Sequence, residues 1–249
     1  MTTTNDTAVS KSNLIPLVMI AGMFFIFGFV TWLNGSLMPY LEVVLQLSAF
    51  QASFILFSFY IAVTVFALPS SWVIGKVGYK NGMAIGMGTM ATAALLYIPA
   101  AKTHEFALFL VAQFAMGAGQ TLVQTAVNPY VVKMGPEESA ARRISIMGIL
   151  NKSAGIVAPI VFTALILGGM TSSPQETASP EYVETLANNL IMPYIYMALV
   201  IGTVALIVRF SSLPELSNDE AQDEKFPLRD VLKFPSLILG VIALFLYVG

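Results

Sequence analysis

Long uncharged stretches alternate with short charged interruptions along the chain, and the spacing predicts seven helices at membrane depth. The first is predicted over 14–38, within the uncharged run 12–41. Others follow over 50–74, 81–101, 106–132 and 144–170, with a sixth inside 185–208. A seventh opens at Leu237 and is still apolar at Gly249, where the sequence stops. A helix needs roughly 20 apolar residues to cross a hydrocarbon core of about 30 Å, and the first six runs meet that length.

The fourth run is not simply greasy. Within it stands QFAMGAGQTLVQTAVNPY (113–130), which places Gln113, Gln120, Gln124 and Asn128 within about 80° of one another on a helix. Carboxamides are costly in hydrocarbon, so this stripe is expected to face protein or a wet cavity. It reads either as interhelical glue or as a hydrogen-bonding wall for a neutral, hydroxyl-rich solute, since each carboxamide offers two N–H donors and an acceptor.

Composition agrees with the spans: 57% of the residues are hydrophobic and 10% charged, against about 25% charged in a soluble domain. With no cysteine there is no disulfide framework and no thiolate metal site. The single histidine, His104, lies in the short stretch Lys102–Glu105 and reads as a solvated loop residue. Neither a metal site nor a cofactor motif is found, and no basic run suggests nucleic acid. The first 13 residues are polar, lack a cleavage signature and read as a disordered tail.

Orientation follows from lysine and arginine. With the N-terminus in the cytoplasm, the inside segments hold Lys11, Lys76, Lys80, Lys133, Arg142, Arg143, Arg209, Lys225, Arg229 and Lys233, whereas the outside loops hold only Lys102. The loop 214–235 is then the longest cytoplasmic connection, as a linker between two bundles would be.

Prolines recur at a fixed offset. Pro39 and Pro129 are 90 residues apart and are expected to end their helices, Pro69 and Pro159 share the offset, and Asn34 and Gln124 share it too. Three helices followed by three similar ones in the opposite orientation make an inverted-topology repeat.

One charge falls inside a span. Lys152, in the fifth, lies about 13 Å beyond Arg143 at 1.5 Å per residue, where burying an ammonium costs roughly 2.5–3.5 kcal/mol. A functional role is the default, with snorkelling to the interface as the rival. Asn151 is about 100° away on the wheel and can border the same cavity. In the first span Asn34 and Trp32 offer a hydrogen bond and a stacking face to a sugar ring, although Trp32 fits an interfacial belt equally well. All 14 acidic residues map to loops or tails, so no carboxylate relay is expected in these helices.

The segment WVIGKVGYKN (72–81) resembles the basic loop between helices 2 and 3 of the major facilitator superfamily, with Gly75 at that motif's Asp position and Ser71 at its first Gly. FFIFGFVTWLNGSLMPYL (24–41), QTAVNPY (124–130), MGPEESAARRI (134–144) and ILNKSAG (149–155) resemble the fucose:proton symporter family, closest to its glucose/galactose and N-acetylglucosamine branch. The resemblance spans 14–249. It implies twelve helices in two six-helix bundles with the sugar between them, and places Gln124 and Asn151 at the central cavity. The fucose branch carries an acid where Gln124 stands and another near Gly35, so acid-based coupling of that kind is not expected here.

The expected organisation is therefore all-α: a cytoplasmic tail (1–13), an N-terminal six-helix bundle with a three-plus-three repeat (14–212), a cytoplasmic inter-bundle loop (213–235) and the start of helix 7 (236–249). The chain reads as the N-terminal part of a transporter whose C-terminal bundle is missing. The expected function is cation-coupled secondary transport of a hexose or amino-hexose across a bacterial inner membrane, with H⁺ or Na⁺ as the coupling ion and the lipid bilayer as the surrounding medium. The expected substrate-binding residues are Gln124, Asn151, Asn34, Gln120, Asn128 and Trp32, with Lys152 as the coupling charge. A seven-helix receptor or sensor, or an uncoupled sugar facilitator, is the alternative. A membrane-embedded enzyme is disfavoured, because no Ser/His pair or His/Asp/Glu cluster occurs at membrane depth.

Overall fold

A computed structural model describes residues 11–167, 179–211, 213–215 and 233–248. Its helices are α1 (Lys11–Val44), α2 (Ala49–Val77), α3 (Tyr79–Thr103), α4 (Phe106–Lys133), α5 (Ala140–Leu167), α6 (Pro180–Phe210) and α7 (Pro235–Val248), with a short 3₁₀ turn at Glu137–Ser139. Among the described residues, α1 to α6 are the helices long and apolar enough to cross a membrane. The chain divides into two compact units, Met1–Leu216 and Ser217–Gly249. The first contains α1–α6; of the second, the described part is essentially the 14-residue α7.

Local chemistry sets the helix ends. Ser48 and Gln51 form a reciprocal capping box at the start of α2: the Gln51 backbone N–H donates to the serine hydroxyl at 3.3 Å and the Ser48 N–H donates to Gln51 Oε1 at 3.0 Å. Between α2 and α3 the connection narrows to Gly78, whose φ of 82° is readily adopted only by glycine. The α4–α5 turn is organised by Arg143. Its guanidinium donates to the carbonyls of Val131, Val132, Gly135 and Pro136 and to the Ser139 hydroxyl, satisfying orphan acceptors at the end of α4.

Two expectations need correction. Pro39 and Pro129 do not end their helices; each is followed by further helical residues, to Val44 and Lys133. The residues after each proline are core: Tyr40, Leu41 and Val44 in α1, Tyr130 and Val131 in α4. Their packing holds the last turn in place despite the lost backbone hydrogen bond. The helices also run past the apolar stretches, so Glu42 lies in α1 and Glu181 and Glu184 in α6 rather than in loops. These are terminal turns, where polar side chains reach water.

Packing reproduces the repeat. α1 packs along α5 as α4 packs along α2, and α3 packs on α6. Moving α2 forward by 90 residues gives 139–167, and α5 is Ala140–Leu167. Moving α1 forward in the same way ends it at 134, and α4 ends at Lys133. The register fails for the third pair, since α3 would map to 169–193 while α6 occupies Pro180–Phe210.

Where symmetry would ask for an α1–α6 seam as tight as α3–α4, the seam is loose. At α3–α4, Gly86 and Gly119 face one another so closely that a Cβ on Gly119 would meet the Gly86 carbonyl at 2.7 Å. The α1 residue 90 positions before Gly119 is Phe29, and the one before Ala115 is Phe25. Those two rings, with Ile26, line a 280 Å³ cleft between α1, α5 and α6.

Candidate functional site at the α1–α5 crossing

Two helices can cross closely only where side chains are small. Gly28 provides such a point: a Cβ there would collide with the Asn151 carbonyl, so α1 and α5 touch backbone to backbone. Gly155 provides a second, one turn further along α5. The Trp32 indole lies against it, and a Cβ at Gly155 would sit 2.7 Å from Trp32 Nε1. The tryptophan is thereby fixed in orientation while 45% of its surface stays open.

Lys152 reaches over that ring. Its Nζ is 5.4 Å from the Trp32 ring centroid, within cation–π range, and its side chain is exposed. The pair stands near the middle of both helices, counted along α1 and α5. Among the described residues no salt bridge to Lys152 occurs, and the indole face of Trp32 is the partner that stabilises its charge.

The carboxamides divide by depth of burial. Gln113 is buried and accepts a hydrogen bond from the Tyr97 hydroxyl, tying α4 to α3. Gln120, only 4% exposed, donates through Nε2 to Thr31 Oγ1 at 2.9 Å and so ties α4 to α1. Its Oε1 is buried without a partner among the described groups. Asn151 is half-buried, and its Nδ2 donates to the Phe24 carbonyl at 3.1 Å. That leaves it one N–H and its oxygen for another partner. Gln124 is half-buried and Asn128 exposed. Asn34 lies on α1, but its side chain falls outside the described residues.

The structure thus joins Trp32 directly to Lys152, sets Asn151 beside them in sequence on α5, and spends Gln113 and Gln120 largely on holding helices together. Among the described residues Gln124 and Asn128 make no such tie. Thr31, Phe24 and the two glycines escape a search for polar stripes, although Gly155 belongs to the ILNKSAG motif and small residues at helix crossings are a readable signal.

Comparison with known proteins decides the family. The sequence profile of the Major Facilitator Superfamily matches residues 20–249. The chain belongs to that superfamily. It is a multi-pass membrane protein. A glucose/galactose transporter of Brucella abortus biovar 1 (strain 9-941) is 32% identical over 98% of this chain and 57% of its own length. An L-fucose-proton symporter of Escherichia coli K12 is 29% identical over 98% of this chain and 58% of its own length. The solved structure of the E. coli fucose:proton symporter superposes with a TM-score of 0.75 at 29% identity, covering 89% of this chain and 55% of the other. A second structure of that symporter, in the outward conformation, gives a TM-score of 0.74 at 30% identity, over 86% of this chain and 54% of the other. The chain spans about half the length of the curated relatives it matches.

Proposed function

We propose that the chain carries one half of the sugar site of a cation-coupled secondary transporter for a hexose or amino-hexose. The observation that carries this reading is the Trp32–Lys152 pair, an aromatic face and a cation held together and exposed near mid-helix in a membrane bundle. Aromatic faces stack on the C–H faces of sugar rings, and carboxamides exchange hydrogen bonds with hydroxyls. Gln124, with Asn151, supplies such hydrogen bonds; Asn128 extends the polar lining, and Gln120 orients α4 against α1. The names of the glucose/galactose and fucose relatives support a sugar as the solute.

Lys152 holds a positive charge beside the solute, where another carrier would place its coupling cation. H⁺ or Na⁺ is the coupling ion, and the site alternates between the two sides as one bundle rocks against another. The exposed apolar faces of α2 and α5, including Phe57, Trp72, Ile149 and Ile156, suit contact with a second bundle. The bacterial inner membrane is the proposed location, with the N-terminus and the 213–235 loop in the cytoplasm.

Uptake of radiolabelled glucose, galactose and N-acetylglucosamine by the carrier with both bundles, in cells lacking their own carriers, tests the reading. Lys152→Met keeps length and removes charge. It should abolish concentrative uptake or change its pH dependence, while the protein still reaches the membrane. Normal rate and pH profile in that variant would reduce the lysine to a snorkelling residue. Topology is tested separately, because the chain has no cysteine of its own. Thr177→Cys should react with an impermeant thiol reagent from outside and Gln222→Cys should not; the reverse pattern would invert the proposed orientation.

A further inference from the structure

We infer that the cleft between α1, α5 and α6 is a binding site for an acyl chain of a membrane lipid. Three membrane-length helices bound it, so in the cell the medium at its mouth is hydrocarbon. Its floor is buried (Leu33, Phe162, Ile201), while its rim is open (Leu165, Tyr196, Val200), which makes it a lateral groove rather than a sealed void. Among the described residues that line it there is no charged side chain and a single hydroxyl, that of Tyr196.

Size decides what fills it. At 280 Å³ the cleft is nearly twice the roughly 150 Å³ of an apolar cavity that stays dry and takes up a benzene-sized guest. Water gains no polar partner on such walls, and leaving the space empty forfeits the dispersion contacts of every lining atom. A lipid tail at the rim supplies those contacts without breaking a hydrogen bond.

The repeat indicates that the space is specified by sequence. Gly119 closes the α3–α4 seam, and the register-matched residue of α1 is Phe29. Two rings at positions 25 and 29 hold α6 away from α1, while α6 stays anchored on α3 by the stacked Tyr97–Tyr194 pair, 4.6 Å between centroids. The site is separate from Lys152, which does not line it.

The test uses a phospholipid with a photoreactive group midway along one acyl chain, in liposomes holding the protein. On illumination, label should concentrate on residues 25–33 and 193–201, well above the level at exposed Ile85 and Leu95 of α3. Val161→Phe and, independently, Val200→Phe fill part of the cleft. Labelling at α1 should fall about tenfold in each, the change expected when two buried methylenes' worth of contact is lost, with α3 labelling unchanged. Two positions guard against a variant that fails to fold, and a monodisperse elution profile confirms each. Even labelling over all outward faces, or no response to either filling variant, overturns the proposal. So does the absence of label at the cleft together with cross-linking of Val200→Cys to another segment of the chain, which would make protein the occupant.

Discussion

At the α1–α5 crossing Gly28 lies against the carbonyl of Asn151; at the α2–α4 crossing Gly117 lies against the carbonyl of Phe59. Moved by 90 residues, the first contact would fall at 118 and 61, within two positions of the second. The backbones meet in the same way, and the side chains around them differ. Around Gly117 stand Ala62, Phe59 and the edge-to-face pair Phe66–Phe114, with the Ser58 hydroxyl donating to the Leu110 carbonyl. Around Gly28 stand Trp32, Asn151 and Lys152. The residue that matches Lys152 in the other repeat is Ala62, fully buried. One copy of the crossing has kept an apolar fastening, and the other has exchanged it for polar groups that face outward. In a duplicated scaffold, function is best sought where the copies stop matching.

The comparison fails first if the two glycines are not equivalent. Gly28→Val and Gly117→Val each drive a side chain into a backbone carbonyl that cannot move aside, so each should destabilise by about 3 kcal/mol or more. Gly22→Ala and Gly35→Ala, with open space around them, should do little. Thermal melting of the detergent-solubilised variants reads both pairs, and a strong asymmetry between positions 28 and 117 would break the symmetry argument.

A charge exchange sharpens it. Ala62→Lys buries an ammonium in the apolar crossing and should cost roughly 2.5–3.5 kcal/mol, seen as lost membrane expression. Lys152→Ala at the matching exposed position should change stability by less than about 0.5 kcal/mol while removing coupled uptake. Equal tolerance at both positions would mean that the polar crossing is no more open than the other.

Binding gives a smaller effect. Gln124→Ala removes one hydrogen-bonding side chain from the proposed site and should weaken sugar binding by about 1–3 kcal/mol, roughly 5- to 150-fold, measured by calorimetry or counterflow. Unchanged affinity at normal expression would reduce Gln124 to helix packing.

The smallest effect distinguishes tie from site. Thr31→Val leaves Gln120 Nε2 buried without its acceptor and should cost on the order of 1 kcal/mol. Gln120→Leu removes that donor together with the unpartnered Oε1 and should be closer to neutral in stability. The reverse order in melting temperature would show that Gln120 has another partner.

Much of this is legible in the sequence alone. Charge-free runs located six spans because a helix in hydrocarbon must satisfy its own backbone and tolerates few charges. The 90-residue offset of Pro39/Pro129 and Pro69/Pro159 exposed the repeat, and the helix bounds follow the same offset through α2 and α5. Lys152 stood out because an ammonium at that depth needs a reason. Helix ends were less legible. Pro39 and Pro129 looked like stops, since a local rule cannot see that Tyr40 and Tyr130 are pinned in the core beyond them.

The carboxamide stripe marks the boundary between what the sequence determined and what only the tertiary structure decided. Spacing put Gln113, Gln120, Gln124 and Asn128 on one face of α4, as helix geometry requires. It could not tell which would meet Tyr97 and Thr31 and which would make no tie to another helix among the described residues, because those partners come from α3 and α1, distant in sequence. Likewise the sequence named Trp32 and Lys152 separately, and only the close approach of α1 and α5 at Gly28 and Gly155 set one over the other. Periodicity is a property of one helix. Contact is a property of two, fixed by the packing of small residues at their crossing.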